Sequence, residues 1–247
     1  MKVALFATCL ADQLYPAVAA SAARVLRRLG CEVAFPAAQV CCAQPALNSG
    51  YFDEARPVAR GLVEALADAD YVVTPSGSCA GTIRHHYAAL FEADATRCAE
   101  AERLAARTYE FSQFLVNVLG VERIDGSFPH SVTFHPSCHG SRLLGARMEP
   151  LTLLRAVPDL ELRPLPQADD CCGFGGTFAV KLPELSAAIA DEKLRWVGQT
   201  GARYLVGTDL GCLMHLAGRR QRLGMAVEAL HIAELVDRAL LAATGAG

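Results

Sequence analysis

The sequence predicts an α/β fold built of two homologous Rossmann-like modules with mainly parallel sheets, related by an internal repeat. The first observation behind this is a duplicated cysteine pattern. Cys9, the vicinal pair Cys41-Cys42 and Cys79 make one set; Cys138, the vicinal pair Cys171-Cys172 and Cys212 make another with nearly the same internal spacing, displaced by a little over half the chain. Eight of the ten cysteines obey this rule, and chance spacing rarely produces two matched vicinal pairs. The second observation is the flanking text: Tyr71-Val72-Val73-Thr74 leads into Cys79 as Tyr204-Leu205-Val206-Gly207 leads into Cys212. The third is hydrophobic periodicity that alternates between short apolar runs and helical stripes, the pattern of strands paired in parallel through crossover helices. The halves are expected to meet between Gly120 and Pro129, giving modules 1–126 and 127–247.

In chain order, residues 2–8 read as the first strand. Lys2 before an apolar run imitates a secretory leader, but Asp12 interrupts the run and its pattern recurs from Val132 to Cys138, which a removable segment has no reason to do. Val18, Ala22, Val25 and Leu29 form a helical stripe that stops at Gly30. Residues 32–35 read as a strand, and Val58, Leu62 and Leu66 as a helix face starting after Pro57. Strands are expected at 71–74, 131–135, 160–163, 204–208 and 226–230. Pro183 and Glu184 suit a first helical turn, with Leu185, Ile189 and Trp196 as the expected buried face.

Composition narrows the function. At 247 residues with 52% hydrophobic and 20% charged side chains, the chain has enough apolar surface for a sizeable core, which argues against disorder. A net charge of -3 leaves no surplus to hold a polyanion, so nucleic acid is not an expected partner. The chain has no uninterrupted apolar run of spanning length, so no conventional membrane span is expected.

Cysteine chemistry follows from position. Cys9, Cys79, Cys138 and Cys212 each follow a predicted strand and precede a predicted helix, at the carboxyl edge where such sheets bind ligands. Cys41-Cys42 and Cys171-Cys172 sit in loops, so four thiols per half can converge on one metal-thiolate site, with helix N-termini favouring the anionic sulfur. Tetrahedral zinc and an iron-sulfur cluster both suit four cysteines. The absence of C-x2-C knuckles and the presence of vicinal pairs favour a polynuclear iron-sulfur centre. Disulfides are the bland alternative, disfavoured in a cytosolic α/β chain. His135 and His139 bracket Cys138, where either hydrogen bonding to cluster sulfur or plain packing is open. Cys31 reads as a small buried hydrophobe, Cys98 as a helix residue outside the repeat, and His85-His86 and Arg219-Arg220-Arg222 as solvated helix faces.

The motifs Phe6-Ala7-Thr8-Cys9-Leu10, Cys41-Cys42-Ala43-Gln44-Pro45, Pro75-Ser76-Gly77-Ser78-Cys79, Ser137-Cys138-His139, Cys171-Cys172-Gly173-Phe174-Gly175-Gly176 and Gly211-Cys212-Leu213-Met214 carry a resemblance. The chain resembles the cysteine-rich, or CCG, domain family, most closely its lactate-utilisation iron-sulfur subunits. It is similar, more distantly, to the cysteine-rich subunit of heterodisulfide reductase and to the glycolate oxidase iron-sulfur subunit. The resemblance implies one or two iron-sulfur clusters per chain, of the [4Fe-4S] type. It also implies metal ligation by Cys9, Cys41, Cys42, Cys79, Cys138, Cys171, Cys172 and Cys212, with Gly173, Gly175, Gly176 and His139 beside the cofactor.

The family's closing C-x-x-C is absent, because Ser76 and Asp209 stand three before Cys79 and Cys212. Four thiols complete a cubane, and an oxygen from Asp209 or Ser76 is the alternative fifth donor. Ala43 replaces a glycine of the pattern, which marks the second set as the better preserved. No flavin or nicotinamide fingerprint and no ferredoxin-like module accompanies these motifs, so an electron-transfer subunit dependent on partners is expected. By resemblance, those partners are a ferredoxin-containing iron-sulfur subunit and a third subunit, in a cytoplasmic complex oxidising L-lactate to pyruvate. Two alternatives stay open: a cluster that reduces a disulfide or thiol substrate, and a zinc- or cluster-stabilised scaffold without redox role.

Overall fold

The computed structural model describes residues 1–242. Strands β1 (Lys2–Leu5), β2 (Glu32–Ala34), β3 (Tyr71–Thr74) and β4 (Thr108–Glu110) form one sheet in the order β2-β1-β3-β4. Strands β5 (Ser131–His135), β6 (Glu161–Leu162), β7 (Tyr204–Gly207) and β8 (Glu228–His231) form a second in the matching order β6-β5-β7-β8. Every pairing is parallel. Residues such as Ala4, Leu5, Val72, Val73, Leu205 and Val206 are buried because helices cover both faces, which is why these strands read as unbroken apolar runs.

The first half contributes α1 (Cys9–Gln13), α2 (Pro16–Arg28), α3 (Gln44–Asn48), α4 (Phe52–Ala65), α5 (Gly77–Leu90), α6 (Ala95–Ala106) and α7 (Phe111–Gln113), the last widening into a π-helical segment, Phe114–Val118. The second half opens with a π-helical segment, His139–Leu143, followed by α8 (Glu149–Arg155), α9 (Thr177–Lys181), α10 (Pro183–Gln199), α11 (Leu210–Arg222) and α12 (Ile232–Ala242).

The repeat extends to strand register. Val3 pairs with Tyr71 in the first sheet, and Val132 with Tyr204 in the second. Cys9 and Cys138 therefore leave the first strand of each sheet at one level, and Cys79 and Cys212 leave the third strand at another.

The two halves share one core. Val3, Leu5, Val25, Leu26, Phe111, Phe114, Val132, Phe134, Leu153, Leu230 and Val236 belong to a single buried cluster that spans both sheets, while smaller clusters lie under α4–α6 and under α10–α11. Each half lends its last helix to the other: α12 packs on α2, and α7 with its π-helical extension packs on α8. Asp237 of α12 accepts hydrogen bonds from Ser21 Oγ (3.0 Å) and Arg24 (2.6 Å) of α2, and Glu149 of α8 accepts one from Asn117 Nδ2 (2.8 Å). The segment joining the halves is held as well, since Ser127 N donates to Ala239 O (3.2 Å) and a Cβ on Gly126 would lie 2.0 Å from that same oxygen.

Several elements depart from the sequence reading. β1 ends at Leu5 rather than residue 8, although Phe6 N still bonds Val73 O (2.9 Å), because Thr8 turns the chain at φ 71°. β4 is a strand the periodicity does not announce: it is short, and its buried ends, Thr108 and Glu110, are polar. α4 begins at Phe52, so Pro57 lies inside the helix, on the solvent side where the Asp53 carbonyl that loses its partner is reached by water. α10 buries Ser186, Ala190, Lys193, Leu194 and Val197; Leu185 is exposed, and Ile189 and Trp196 are half-buried. The face is rotated by one position because the turn at Gly173 presses against Ser186 and admits only small side chains there.

Candidate metal centre

In both sheets the chain leaves the two central strands in opposite directions, β1 and β3 in one and β5 and β7 in the other, opening the crevice in which parallel sheets bind ligands. The cysteines occupy it. Cys9 opens α1, where Thr8 Oγ1 accepts from Ala11 N (3.4 Å). Cys79 lies in the first turn of α5, its N–H bonded to Ser76 Oγ (3.3 Å). Cys212 lies in the first turn of α11, capped by Asp209 through Gly211 N (3.1 Å). Cys138 precedes the second π-helical segment, where Ser137 Oγ accepts from Gly140 N (3.0 Å). These caps fix where each sulfur starts.

The vicinal pairs are brought in by anchored loops. Gln39 bonds the loop before Cys41 to Leu5 O (3.2 Å) and Ala7 N (2.8 Å), and Tyr87 OH donates to Cys42 O (3.1 Å). Lys193, 1% exposed, donates to Gln167 O (2.9 Å) and Ala168 O (2.8 Å) in the loop before Cys171. After each pair the chain takes the same left-handed turn, at Ala43 (φ 64°) and Gly173 (φ 86°). The alanine of the first half therefore adopts the glycine conformation, and the substitution leaves the backbone course of the first set intact.

All eight repeated cysteines line a single cavity of about 190 Å³ between the halves, together with His139, Phe174, Gly175 and Gly176. Within it Cys9 and Cys41 sulfurs lie 3.8 Å apart, Cys42 and Cys79 3.3 Å, and Cys172 and Cys212 3.0 Å. None of the ten cysteines is disulfide-bonded. Gly173 lies behind the cavity wall and donates its N–H to Cys171 Sγ (3.3 Å), and His139 Nδ1 stands 3.5 Å from Cys138 Sγ.

Crowding concentrates negative charge on one sulfur per set. Hydrogen bonds from Cys42 and Cys9 push Cys41 down to about 3, and those from Cys138 and Cys172 push Cys171 down to about 2. The hydrogen bonds to those thiolates drive Cys42 and Cys172 up, and burial adds to the effect. Four neighbouring sulfurs in a low-dielectric cavity ionise together only beside a cation, so the donor set fits a soft, thiophilic metal or an iron-sulfur cluster. His135 adds a nitrogen: its ring and the sulfurs of Cys172 and Cys212 place ligand atoms within 4.8 Å of one another. Burial, with Lys193 nearby, lowers His135 to about 3, so the imidazole is neutral.

Asp209 and Ser76 do not offer free oxygens. Asp209 Oδ2 accepts from Ser78 N (2.9 Å) and Ser76 Oγ (3.4 Å) across the interface, and its other oxygen caps α11. Cys31 is buried in the shared core and Cys98 lies in α6 beside Glu102, both outside the cavity. His85, His86 and Arg222 are exposed, whereas Arg219 and Arg220 are half-buried, Arg219 paired with Asp191 at 2.5 Å. Sequence reasoning missed Gln39, Tyr87 and Lys193. Only Lys193 left a trace, as a charge at a position where the helix face required burial.

The cysteine-rich domain (CCG) matches residues 3–84 and 132–217. Lactate utilization protein A from Geobacillus thermodenitrificans is 51% identical over 96% of this chain and 99% of its own length. The proteins of that name from Geobacillus kaustophilus and Bacillus cereus are 51% and 48% identical over the same shares. Among solved structures, glutamate racemase isoform RacE1 from Bacillus anthracis aligns over 99% of this chain and 82% of its own, with TM-score 0.37 and 12% identity. An aspartate racemase homologue from Pyrococcus horikoshii aligns over 97% of both chains, with TM-score 0.34 and 11% identity. No helix among the described residues is long and apolar enough to cross a membrane.

Proposed function

The chain belongs to the cysteine-rich (CCG) domain family, and on that premise we propose that it is an iron-sulfur electron-transfer subunit of a complex oxidising L-lactate to pyruvate. The observation that carries the reading is the convergence of eight thiols on one cavity at two sheet crevices. The name of its relatives supports lactate utilisation as the setting.

An iron-sulfur cluster supplies single-electron transfer. Oxidation of lactate to pyruvate releases two electrons and two protons, and hydride removal belongs to another cofactor, so this chain relays electrons taken from a partner. Its residues hold the centre and set its environment. Cys9, Cys41, Cys42 and Cys79 are the ligands in one half, and Cys138, Cys171, Cys172 and Cys212 those in the other. Gly173 N–H stabilises negative sulfur; Phe174, Gly175 and Gly176 close the wall, and His139 Nδ1 stands beside Cys138 Sγ. The partners on this reading are a ferredoxin-containing iron-sulfur subunit and a third subunit, in the cytoplasm.

Anaerobic purification with iron, sulfide and zinc determination and electron paramagnetic resonance tests it. Iron and sulfide in comparable amounts, lowered in Cys171→Ser and Cys172→Ser but unchanged in Cys98→Ser, is the expected result. Zinc without iron overturns it in favour of a scaffold. The loaded chain alone should not oxidise lactate, and its visible absorption should bleach only with a reduced partner. Disulfide reduction from an artificial donor would transfer the assignment to a thiol reductase.

A further inference from the structure

Resting on the reading of the second cysteine set as a metal-thiolate site, we propose that His135 is a fifth ligand of that site, a nitrogen donor the first set lacks. His135 closes β5 at 1% exposure, and neither ring nitrogen has a hydrogen-bond partner among the described residues. Buried polar atoms are almost always paired, and a ring with two orphaned nitrogens is missing something it was shaped to meet. What it faces is sulfur: its nitrogen and the sulfurs of Cys172 and Cys212, all buried, lie within 4.8 Å of one another. Lys193, the nearby cation, is engaged by the carbonyls of Gln167 and Ala168.

The repeat supplies an internal control. His135 stands three before Cys138, and Phe6 stands three before Cys9 at the matching level beyond β1, fully buried in an apolar cluster. That position is therefore satisfied by a hydrocarbon ring, and packing alone gives no reason for an imidazole. Imidazole is an accepted ligand for iron and zinc alike, and nitrogen ligation of an iron-sulfur centre raises its potential over all-thiolate ligation. The two halves would then hold unlike centres: Cys9, Cys41, Cys42 and Cys79 in one, and Cys138, Cys171, Cys172, Cys212 and His135 in the other.

The decisive experiment is pulsed electron paramagnetic resonance on anaerobically purified, reduced protein labelled with 15N-histidine. The expected result is a nitrogen coupling of the size of a direct metal bond, lost in His135→Phe and kept in His139→Gln. His135→Phe should fold, because Phe6 fills the same place in the other half, and should lower the potential of one centre while leaving the other unchanged. Iron-sulfur signals without such a coupling, or a coupling that survives in His135→Phe, overturn the ligand assignment alone. Absence of any iron-sulfur signal overturns the iron-sulfur reading beneath it.

Discussion

At the scale of single residues, the two left-handed turns respond in opposite ways to a methyl group. A Cβ on Gly173 would lie 2.4 Å from Ser186 O, on top of the left-handed penalty, so Gly173→Ala should cost at least about 2 kcal/mol in urea unfolding. Ala43 already carries its methyl at φ 64°, and Ala43→Gly should move stability by no more than about 1 kcal/mol, since relief of strain offsets added freedom in the unfolded chain. Glu110 gives a pH signature. Its Oε2 caps Ser112 N (2.8 Å) and Gln113 N (3.3 Å), yet burial pushes the carboxyl up to about 7. The folded chain thus keeps a proton that the unfolded chain releases near pH 4.5, and stability is lost as pH rises from there to about 7. Glu110→Gln should gain on the parent by roughly 3 kcal/mol between pH 4.5 and pH 8, and a constant difference would refute the assignment. The eight cysteines were legible because ligand chemistry tolerates no substitute and leaves its spacing in the text. Lys193 and Glu110 were not, because a buried charge is recognised only by carbonyls and amides whose placement the fold decides.

At the scale of elements, the helix exchanged between the halves is pinned by one buried carboxylate. Asp237→Ala removes the acceptor for Ser21 and Arg24 and should cost about 2 kcal/mol, the range for hydrogen bonds to a charged group. Asp125→Ala, whose partner Arg123 is 80% exposed, should change stability by less than about 0.5 kcal/mol in the same measurement. Parallel pairing followed from alternation of apolar runs and stripes, and β3 and β7 were bounded almost to the residue. β4 escaped because Thr108 and Glu110 bury polar atoms that only the neighbouring helices satisfy. The α10 face was misread by one position because periodicity counts large apolar residues, whereas the chain packed against α10 at Gly173 selects small ones.

At the scale of the whole molecule, the shared core and the exchanged helices make the halves thermodynamic partners rather than beads on a linker. Thermal unfolding of the metal-free chain should be a single cooperative transition, and fragments 1–126 and 127–247 expressed apart should lack stable tertiary structure by near-ultraviolet circular dichroism. Two resolved transitions would show that the common core contributes little. The exchange of α7 and α12 has a further consequence. Each half meets the other through matching elements, with Gly77 against Gly140 and Ala11 against Leu210, so the contact is isologous in form, the kind two identical subunits make about a two-fold axis. In a symmetric dimer every substitution appears twice and alters both sites at once. Covalent fusion removes that restriction: Phe6 and His135, or Ala43 and Gly173, occupy twin positions yet vary separately. One polypeptide can in this way hold two sulfur sites of different character a single cavity apart, an asymmetry no homodimer of either half can encode.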